Sequence, residues 1–74
     1  MTNDELLKLL GTILKQLRED KDISQERLAQ LSGVHRNYIG RMERGEQNAS
    51  IIIWYRVCES LGKSLSDLGR MLRK

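Results

Sequence analysis

The 74-residue sequence contains no proline, no phenylalanine, one cysteine, one histidine and one tryptophan. Without proline, no residue forces a helix to kink or stop, and the six glycines are left to form tight turns. The lone Cys58 excludes an internal disulfide, so nothing indicates an oxidising compartment. We expect short helices joined by tight turns, in a cytoplasmic protein.

The scarcity of histidine and cysteine also limits the chemistry. His35 and Cys58 have no neighbours at the spacing of metal ligands, so we expect no metal and no cofactor. A nucleophile, a base and an orienting residue cannot be assembled from one histidine, one cysteine and scattered carboxylates, which makes an enzyme the least expected class. We expect His35 at the start of a helix near a phosphate, and Cys58 in the core.

Long apolar runs are absent as well. Asp4, Glu5 and Lys8 interrupt the leucines near the N-terminus, so neither a targeting segment nor a membrane span is predicted. A membrane-active amphipathic helix over Leu6 to Leu17 is disfavoured, because acidic residues surround it and its apolar stripe fits a protein core.

The charge is basic but unevenly distributed. The formal net charge is +3 and the pI is about 9.4. Residues 1–23 carry four basic and five acidic side chains, whereas residues 34–74 carry eight basic and four acidic ones. The second half of the chain is therefore the half expected to meet an anionic partner.

Capping residues and apolar periodicity predict one all-α domain, residues 1–74, with five helices. The expected helices run from about Asn3 to Asp20, from Ser24 to Gly33, from about His35 to Arg44, from Ser50 to Gly62, and onward from Ser64 or Ser66. The apolar stripes expected to face the core are Leu6, Leu10, Ile13, Leu14 and Leu17 in the first helix, Leu28, Ala29 and Leu31 in the second, and Ile51, Trp54, Val57, Cys58 and Leu61 in the fourth.

The third helix has two different faces. At about 100° per residue, one face carries Tyr38, Ile39, Met42 and Glu43, and the other carries Arg36, Asn37, Gly40, Arg41 and Arg44. Arginine and asparagine make bidentate hydrogen bonds to guanine and adenine edges in the DNA major groove. Gly40, in the middle of the basic face, is expected to let the backbone approach another surface. A solvated polar face is the plainer alternative.

A short helix, a turn at Gly33 and a second helix with such a face form the layout of a helix-turn-helix. The run SQERLAQLSGVHRNYIGRMERG resembles the helix-turn-helix domain of the phage repressor and Cro type. The run HRNYIGRMERGEQNASI looks most like the small controller proteins of restriction-modification systems. The resemblance implies a compact lambda-repressor-like fold, with the helix-turn-helix over about residues 24–44, and a regulator of transcription.

The resemblance also implies roles for individual residues. It assigns base edges to Arg36, Asn37 and Arg41, and phosphates to Gln25, Tyr38, Arg44 and Asn48. His35 is expected near a phosphate because of its own place at the start of the helix. Glu43 lies at the edge of the apolar face, where an unpaired carboxylate would be costly. Relatives usually pair such a glutamate with an arginine of the first helix, which here is Arg18, so we expect a structural salt bridge.

Partners follow from the same interpretation. A single helix reads few bases, so a homodimer on a two-fold symmetric double-stranded site is expected, with its interface in residues 50–72. The residues expected at that interface are Ile52, Tyr55, Leu65, Leu68 and Leu72. RNA polymerase is a further candidate partner.

A rival hypothesis is an antitoxin-like module that masks a protein partner, although the short termini offer no segment to wrap one. Trp54 is expected in the core and Tyr55 partly exposed, rather than both forming a stacking platform for single strands.

Overall fold

The computed structural model describes residues 1–73 and contains five α-helices. They are α1 (Asn3–Asp20), α2 (Gln25–Ser32), α3 (Arg36–Glu43), α4 (Ile51–Ser60) and α5 (Leu65–Leu72). The all-α prediction is confirmed, and each predicted helix is present within a residue or two of its expected bounds. No strand occurs in residues 1–73.

Side-chain caps explain where the helices begin. Thr2 and Glu5 form a reciprocal capping box at α1, in which each side chain accepts a hydrogen bond from the other residue's backbone N–H. Ser24, Ser50 and Ser64 cap α2, α4 and α5 through their hydroxyl oxygens. These contacts satisfy backbone donors that helix starts leave unpaired, which is why each helix begins where it does.

The core lies where the apolar stripes of all five helices meet. Its fully buried side chains are Leu14, Leu28, Ile39, Met42, Val57, Cys58 and Leu61. Helix α3 packs against α1 and α2, α4 packs against α2, and α5 packs against α4 and α1. The outer side of α3 and the outer side of the α4–α5 pair therefore belong to different parts of the surface.

Gly11 permits the close crossing of α1 and the end of α3. A Cβ atom at Gly11 would lie 2.4 Å from the Glu43 carbonyl oxygen and 2.5 Å from the Met42 carbonyl oxygen. Distances this short are not tolerated, and backbone atoms cannot turn aside as a flexible side chain can. This crowding means that position 11 requires glycine, although other residues could adopt its helical backbone conformation.

Three residues of the predicted stripes do not reach the core. Leu6, Leu31 and Ile51 are exposed. Periodicity identifies the face of a helix that is apolar, but it does not show how far along that face the neighbouring helix extends. Trp54, on the same side of α4 as Ile51 and about one turn further along, is buried as expected. The neighbouring Tyr55 is exposed, which was also expected.

Candidate nucleic-acid interface

Helices α2 and α3 are joined by a tight turn whose geometry depends on Gly33. This residue has φ +73°, the left-handed conformation that glycine adopts without steric cost. The Val34 N–H donates to the Ala29 carbonyl oxygen at 3.1 Å and closes the end of α2. Leu28 on α2 and Ile39 on α3 are both fully buried. The turn and these contacts fix the position of α3 on the domain.

The outward face of α3 is basic. Arg36, Asn37, Arg41 and Arg44 are exposed and adjoin a cavity of about 680 Å³ between the N-terminus of α2 and α3. Among the described residues that line this cavity, Glu26 supplies the one carboxylate. The predicted base-contacting residues Arg36, Asn37 and Arg41 are thus brought together on one open surface.

Each arginine of this face has an acceptor nearby. Arg36 Nη1 donates to Glu26 Oε2 at 3.3 Å, and Arg44 Nε donates to Glu46 Oε1 at 3.0 Å. Arg41 Nε donates to Gln47 Oε1 at 3.2 Å. All three are exposed contacts, which are individually weak and easily exchanged.

Arg41 also lies over the ring of Tyr38. The guanidinium carbon is 5.8 Å from the ring centroid, within the range of a cation–π contact. Since the bond to Gln47 uses only the Nε–H, both terminal nitrogens of Arg41 stay available to a ligand.

Behind this face, Arg18 and Glu43 form a nearly buried ion pair. Their side chains are 12% and 3% exposed, and Arg18 Nε and Nη2 donate to the two carboxylate oxygens of Glu43 at 2.6 and 3.1 Å. These hydrogen bonds raise the pKa of Arg18 above its usual value. Arg18 Nη1 also donates to the Ile23 carbonyl oxygen at 2.9 Å. The contact between Arg18 and Glu43 that was predicted from the sequence is present.

The third member of this network is Gln25. Its Nε2 donates to Glu43 Oε1 at 2.9 Å, so the amide nitrogen is already engaged within the protein. Its Oε1 lies over Gly40, 3.6 Å from where a Cβ of that residue would be. If the Gln25 amide nitrogen bound a phosphate, it would have to give up its hydrogen bond to Glu43. The backbone N–H groups at the start of α2 could bind a phosphate without losing that bond.

Gly40 is more crowded than the sequence indicated. It is buried beneath the side chains of Gln25 and Arg44, and a Cβ here would lie 3.2 Å from Arg44 Nη1. The helical projection placed Gly40 correctly on the basic face but could not show that side chains from α2 and α3 close over it. The glycine makes room for these two side chains, and the expected approach of another molecule to its backbone stays a prediction.

The other residues expected near phosphate flank the same surface. His35 is the N-cap of α3, and its Nδ1 accepts a hydrogen bond from the Asn37 N–H at 3.1 Å. This contact satisfies one of the backbone donors at the start of α3. Asn48 is exposed in the loop after α3, and Tyr38 is half-buried. The predicted phosphate contacts themselves stay predictions.

The residues expected at a dimer interface divide into two groups. Ile52 and Tyr55 are 61% and 53% exposed on α4, and Leu65 and Leu72 are half-buried on α5. The assignment of Leu68 to the dimer interface is wrong. Its side chain is only 7% exposed, because it packs inward with the other residues of the core. The exposed Ile51, which was expected to be buried, adjoins Ile52 on this surface.

Sequence reasoning missed four residues that shape the interface. Glu26, Glu46 and Gln47 contact arginines, and Gly11 permits the helix crossing. The spacing of two residues between Arg44 and Glu46 offers a weak local signal. Glu26 and Arg36 are ten residues apart, so their contact depends on the angle between α2 and α3, which periodicity does not provide.

Other chemistry receives no support from the described residues. No group of three or more potential metal ligands occurs within residues 1–73. Burial raises the pKa of the Cys58 thiol, with a further contribution from the charge of Asp67, which makes a reactive thiolate unfavourable. Within the same range, each helix is too short or too polar to cross a bilayer.

Comparison with known proteins identifies the class of this fold. The sequence profile described as helix-turn-helix matches residues 14–68, which include α2, the turn and α3. The chain belongs to the helix-turn-helix family. This is a family of transcription regulators rather than enzymes.

The relatives of this helix-turn-helix protein include controller proteins. Control protein C.BamHI of Bacillus amyloliquefaciens is 39% identical over 69 residues, covering 92% of this chain and 84% of the relative. Control protein C.SmaI of Serratia marcescens is 33% identical over 64 residues, covering 86% and 76%. The expected resemblance to restriction-modification controllers is therefore confirmed.

Solved structures agree with the fold. The restriction-modification controller protein C.AhdI from Aeromonas hydrophila has a TM-score of 0.82 at 39% identity, covering 84% of this chain and 94% of that one. The clp gene regulator ClgR from Corynebacterium glutamicum has a TM-score of 0.86 at 33% identity, covering 90% and 71%.

Proposed function

We propose that this protein is a sequence-specific regulator that binds double-stranded DNA as a homodimer and controls transcription from the site it occupies. The observation that carries the proposal is the outward face of α3, where Arg36, Asn37 and Arg41 lie exposed together on a helix held by a helix-turn-helix. A protruding helix of this kind fits the major groove, and these side chains have the donors that base edges require.

In this proposal the remaining polar residues hold the DNA backbone. Arg44, His35 and Asn48 flank α3 and would contact phosphates, with Tyr38 and the N-terminus of α2 beside Gln25. Arg44 would exchange its exposed bond to Glu46 for a phosphate oxygen at little cost. Such contacts position α3 in the groove without reading sequence.

The dimer is proposed to form through α4 and α5. Ile52 and Tyr55 leave an apolar surface at α4 that the monomer does not cover, and half-buried Leu65 and Leu72 lie on α5. Because α5 packs on α4 and α1 while α3 packs on α1 and α2, dimerisation would leave the DNA-facing side open. A two-fold dimer would present two α3 helices to half-sites about 34 Å apart.

The relatives support a more specific role as a controller of a restriction-modification operon, including its own gene. This part of the proposal rests on the similarity to control proteins C.BamHI and C.SmaI. RNA polymerase is the further partner that such a role implies.

Selection of duplexes from a random pool at fixed, near-physiological salt tests the proposal. We expect enrichment of a two-fold symmetric sequence with half-sites about one helical turn apart. Binding without enrichment of any sequence would contradict sequence-specific regulation and favour a module whose main partner is a protein.

A further inference from the structure

The contact between Glu26 and Arg36 supports an inference that rests on the proposed function and refines it. Glu26 lies in the first turn of α2, and its Oε2 accepts a hydrogen bond from Arg36 Nη1 at 3.3 Å. It is the one carboxylate among the described residues that line the arginine-rich cavity. A negative charge on a surface that approaches phosphates opposes DNA binding. A carboxylate at this position, beside a predicted base-contacting arginine, is therefore unexpected unless it has a role there.

The pair leaves Arg36 able to bind a base. A guanidinium group has five N–H donors, and the bond to Glu26 uses one of the two on Nη1. A bidentate contact to guanine O6 and N7 needs two donors. Arg36 therefore has enough donors to contact Glu26 and a guanine edge at the same time.

Glu26 acts on Arg36 in two ways. Although this exposed bond is weak, it favours the rotamers of Arg36 that keep the guanidinium beside Glu26, which would lower the ordering cost when a guanine is bound. The carboxylate also repels phosphate oxygens, which would otherwise attract an unpaired Arg36 on any duplex. The first effect favours the correct base, and the second disfavours binding that ignores sequence.

We propose that Glu26 is a specificity-determining residue, which positions the Arg36 guanidinium for a guanine edge and withholds it from phosphate oxygens. Glu26 acts through Arg36 and needs no contact with DNA of its own. Removing its charge should strengthen binding to incorrect duplexes and weaken the preference for the base that Arg36 contacts.

Glu46 provides a matched control within the same chain. It accepts a hydrogen bond from Arg44 Nε at 3.0 Å, and its side chain is 56% exposed, close to the 62% of Glu26. Glu26→Gln and Glu46→Gln change the net charge equally and at similar exposure. They differ in the arginine that each releases, a predicted base reader for Glu26 and a predicted phosphate contact for Glu46.

The test compares two duplexes at one salt concentration. The first is the site selected by the wild-type protein, and the second differs from it at the base pair whose preference Arg36→Ala removes. Dissociation constants are measured for the wild type, Glu26→Gln, Glu46→Gln, Arg36→Ala, and Arg36→Ala combined with Glu26→Gln. Thermal melting checks that each variant is folded, which an exposed ion pair of this kind should not alter.

We expect Glu26→Gln to lower the ratio of affinities for the two duplexes by about three- to tenfold. Glu46→Gln should strengthen binding to both duplexes and keep the ratio within about twofold of the wild type. In the Arg36→Ala background, Glu26→Gln should no longer change the ratio, because the side chain it positions is absent.

Two results would overturn the inference while leaving the proposed function intact. One is an unchanged ratio in Glu26→Gln, and the other is a changed ratio that persists without Arg36. If the wild-type protein selects no sequence at all, the proposed function fails first and this inference fails with it.

Discussion

Arg18 and the arginines of α3 carry the same charge in opposite environments. Arg18 donates to both oxygens of Glu43 and to a backbone carbonyl in a nearly buried site, whereas Arg36 and Arg44 each make one contact at the surface. Removing one partner of a buried pair leaves an uncompensated charge, while an exposed pair contributes little. Environment, rather than residue type, separates the arginine that stabilises the fold from those that are proposed to contact DNA.

Arg18→Ala should strongly destabilise the protein. Glu43 would keep only its bond from Gln25 and would remain a buried, unpaired carboxylate, which costs about 3 to 5 kcal/mol. Chemical denaturation measures the free energy of unfolding, and Arg36→Ala, which breaks an exposed pair, is the control expected to change it by less than about 1 kcal/mol. Equal effects of the two substitutions would show that the Arg18–Glu43 pair has no special structural role.

Arg36→Ala and Arg44→Ala should weaken DNA binding in different ways. The loss of Arg36 should cost about 1 to 3 kcal/mol on the selected site and relax the preference at one base pair. The loss of Arg44 should weaken all duplexes alike and reduce the salt slope of binding by about one unit. Titrations of selected and scrambled duplexes at several salt concentrations distinguish them, and identical behaviour would refute the assignment of roles.

For individual residues, the sequence predicts two kinds of feature: those that depend on one helix alone, and those that the resemblance to a known family implies. The faces of α3 follow from its period, and the Arg18–Glu43 contact follows from the family resemblance. The contacts of Glu26 with Arg36 and of Gln25 with Glu43 could not be predicted, because they depend on the angle at which α2 meets α3. The same angle brings the Gln25 side chain over Gly40, whereas the second group that covers Gly40, Arg44, belongs to the end of its own helix.

Helices α1 and α3 approach each other closely at Gly11. The carbonyl oxygens of Met42 and Glu43 occupy the space where a side chain would begin. The same crossing brings Arg18, further along α1, to the side chain of Glu43. One glycine thus sets the spacing at which the ion pair can form.

Gly11→Ala should destabilise the protein by about 1 to 3 kcal/mol, because the added methyl group forces α1 and α3 apart. Gly69 in α5 is the matched control: a Cβ there meets no atom within 4 Å, so Gly69→Ala should be neutral or stabilising by up to about 1 kcal/mol through helix propensity. Thermal melting of both variants provides the comparison. A Gly11→Ala protein as stable as Gly69→Ala would mean that the crossing is not close.

The helices themselves were largely predictable, because their caps are local. Thr2, Ser24, Ser50 and Ser64 act within three residues of the helix they start, and Gly33 ends α2 through its own backbone conformation. Gly11 carries no comparable signal, since a helical glycine becomes necessary only when another element approaches it. The exposure of Leu6 and Ile51 likewise depends on where a neighbouring helix stops.

The whole molecule separates two surfaces. The basic face of α3 forms one, and the exposed apolar residues of α4 with the half-buried ones of α5 form the other, on helices that pack against different neighbours. A domain with extents of 31 × 22 × 21 Å is small enough for two copies side by side to cover adjacent turns of a DNA duplex. A single α3 helix would contact only a few base pairs, so the recognition of a long site would require two paired copies of the domain.

Ile52→Lys should abolish the dimer, because it places a charge in the centre of the proposed interface. Light scattering at tens of micromolar should then give the mass of a monomer, and affinity for the selected two-fold site should fall by about a hundredfold as the two half-sites become independent. Gln16→Lys, on the exposed side of α1, adds the same charge as a control. A dimeric Ile52→Lys protein would place the interface elsewhere.

The division of α3 into an inner and an outer face also bears on how such a protein diversifies. Ile39 and Met42 are buried in the core and Glu43 is held by its ion pair, whereas Arg36, Asn37 and Arg41 are exposed and are not part of the core. Mutations at these three exposed positions should therefore be tolerated by the fold. If these residues read DNA as proposed, a lineage could acquire new operators without losing solubility or abundance, and a library randomised at these positions should yield orthogonal regulators on one unchanged scaffold.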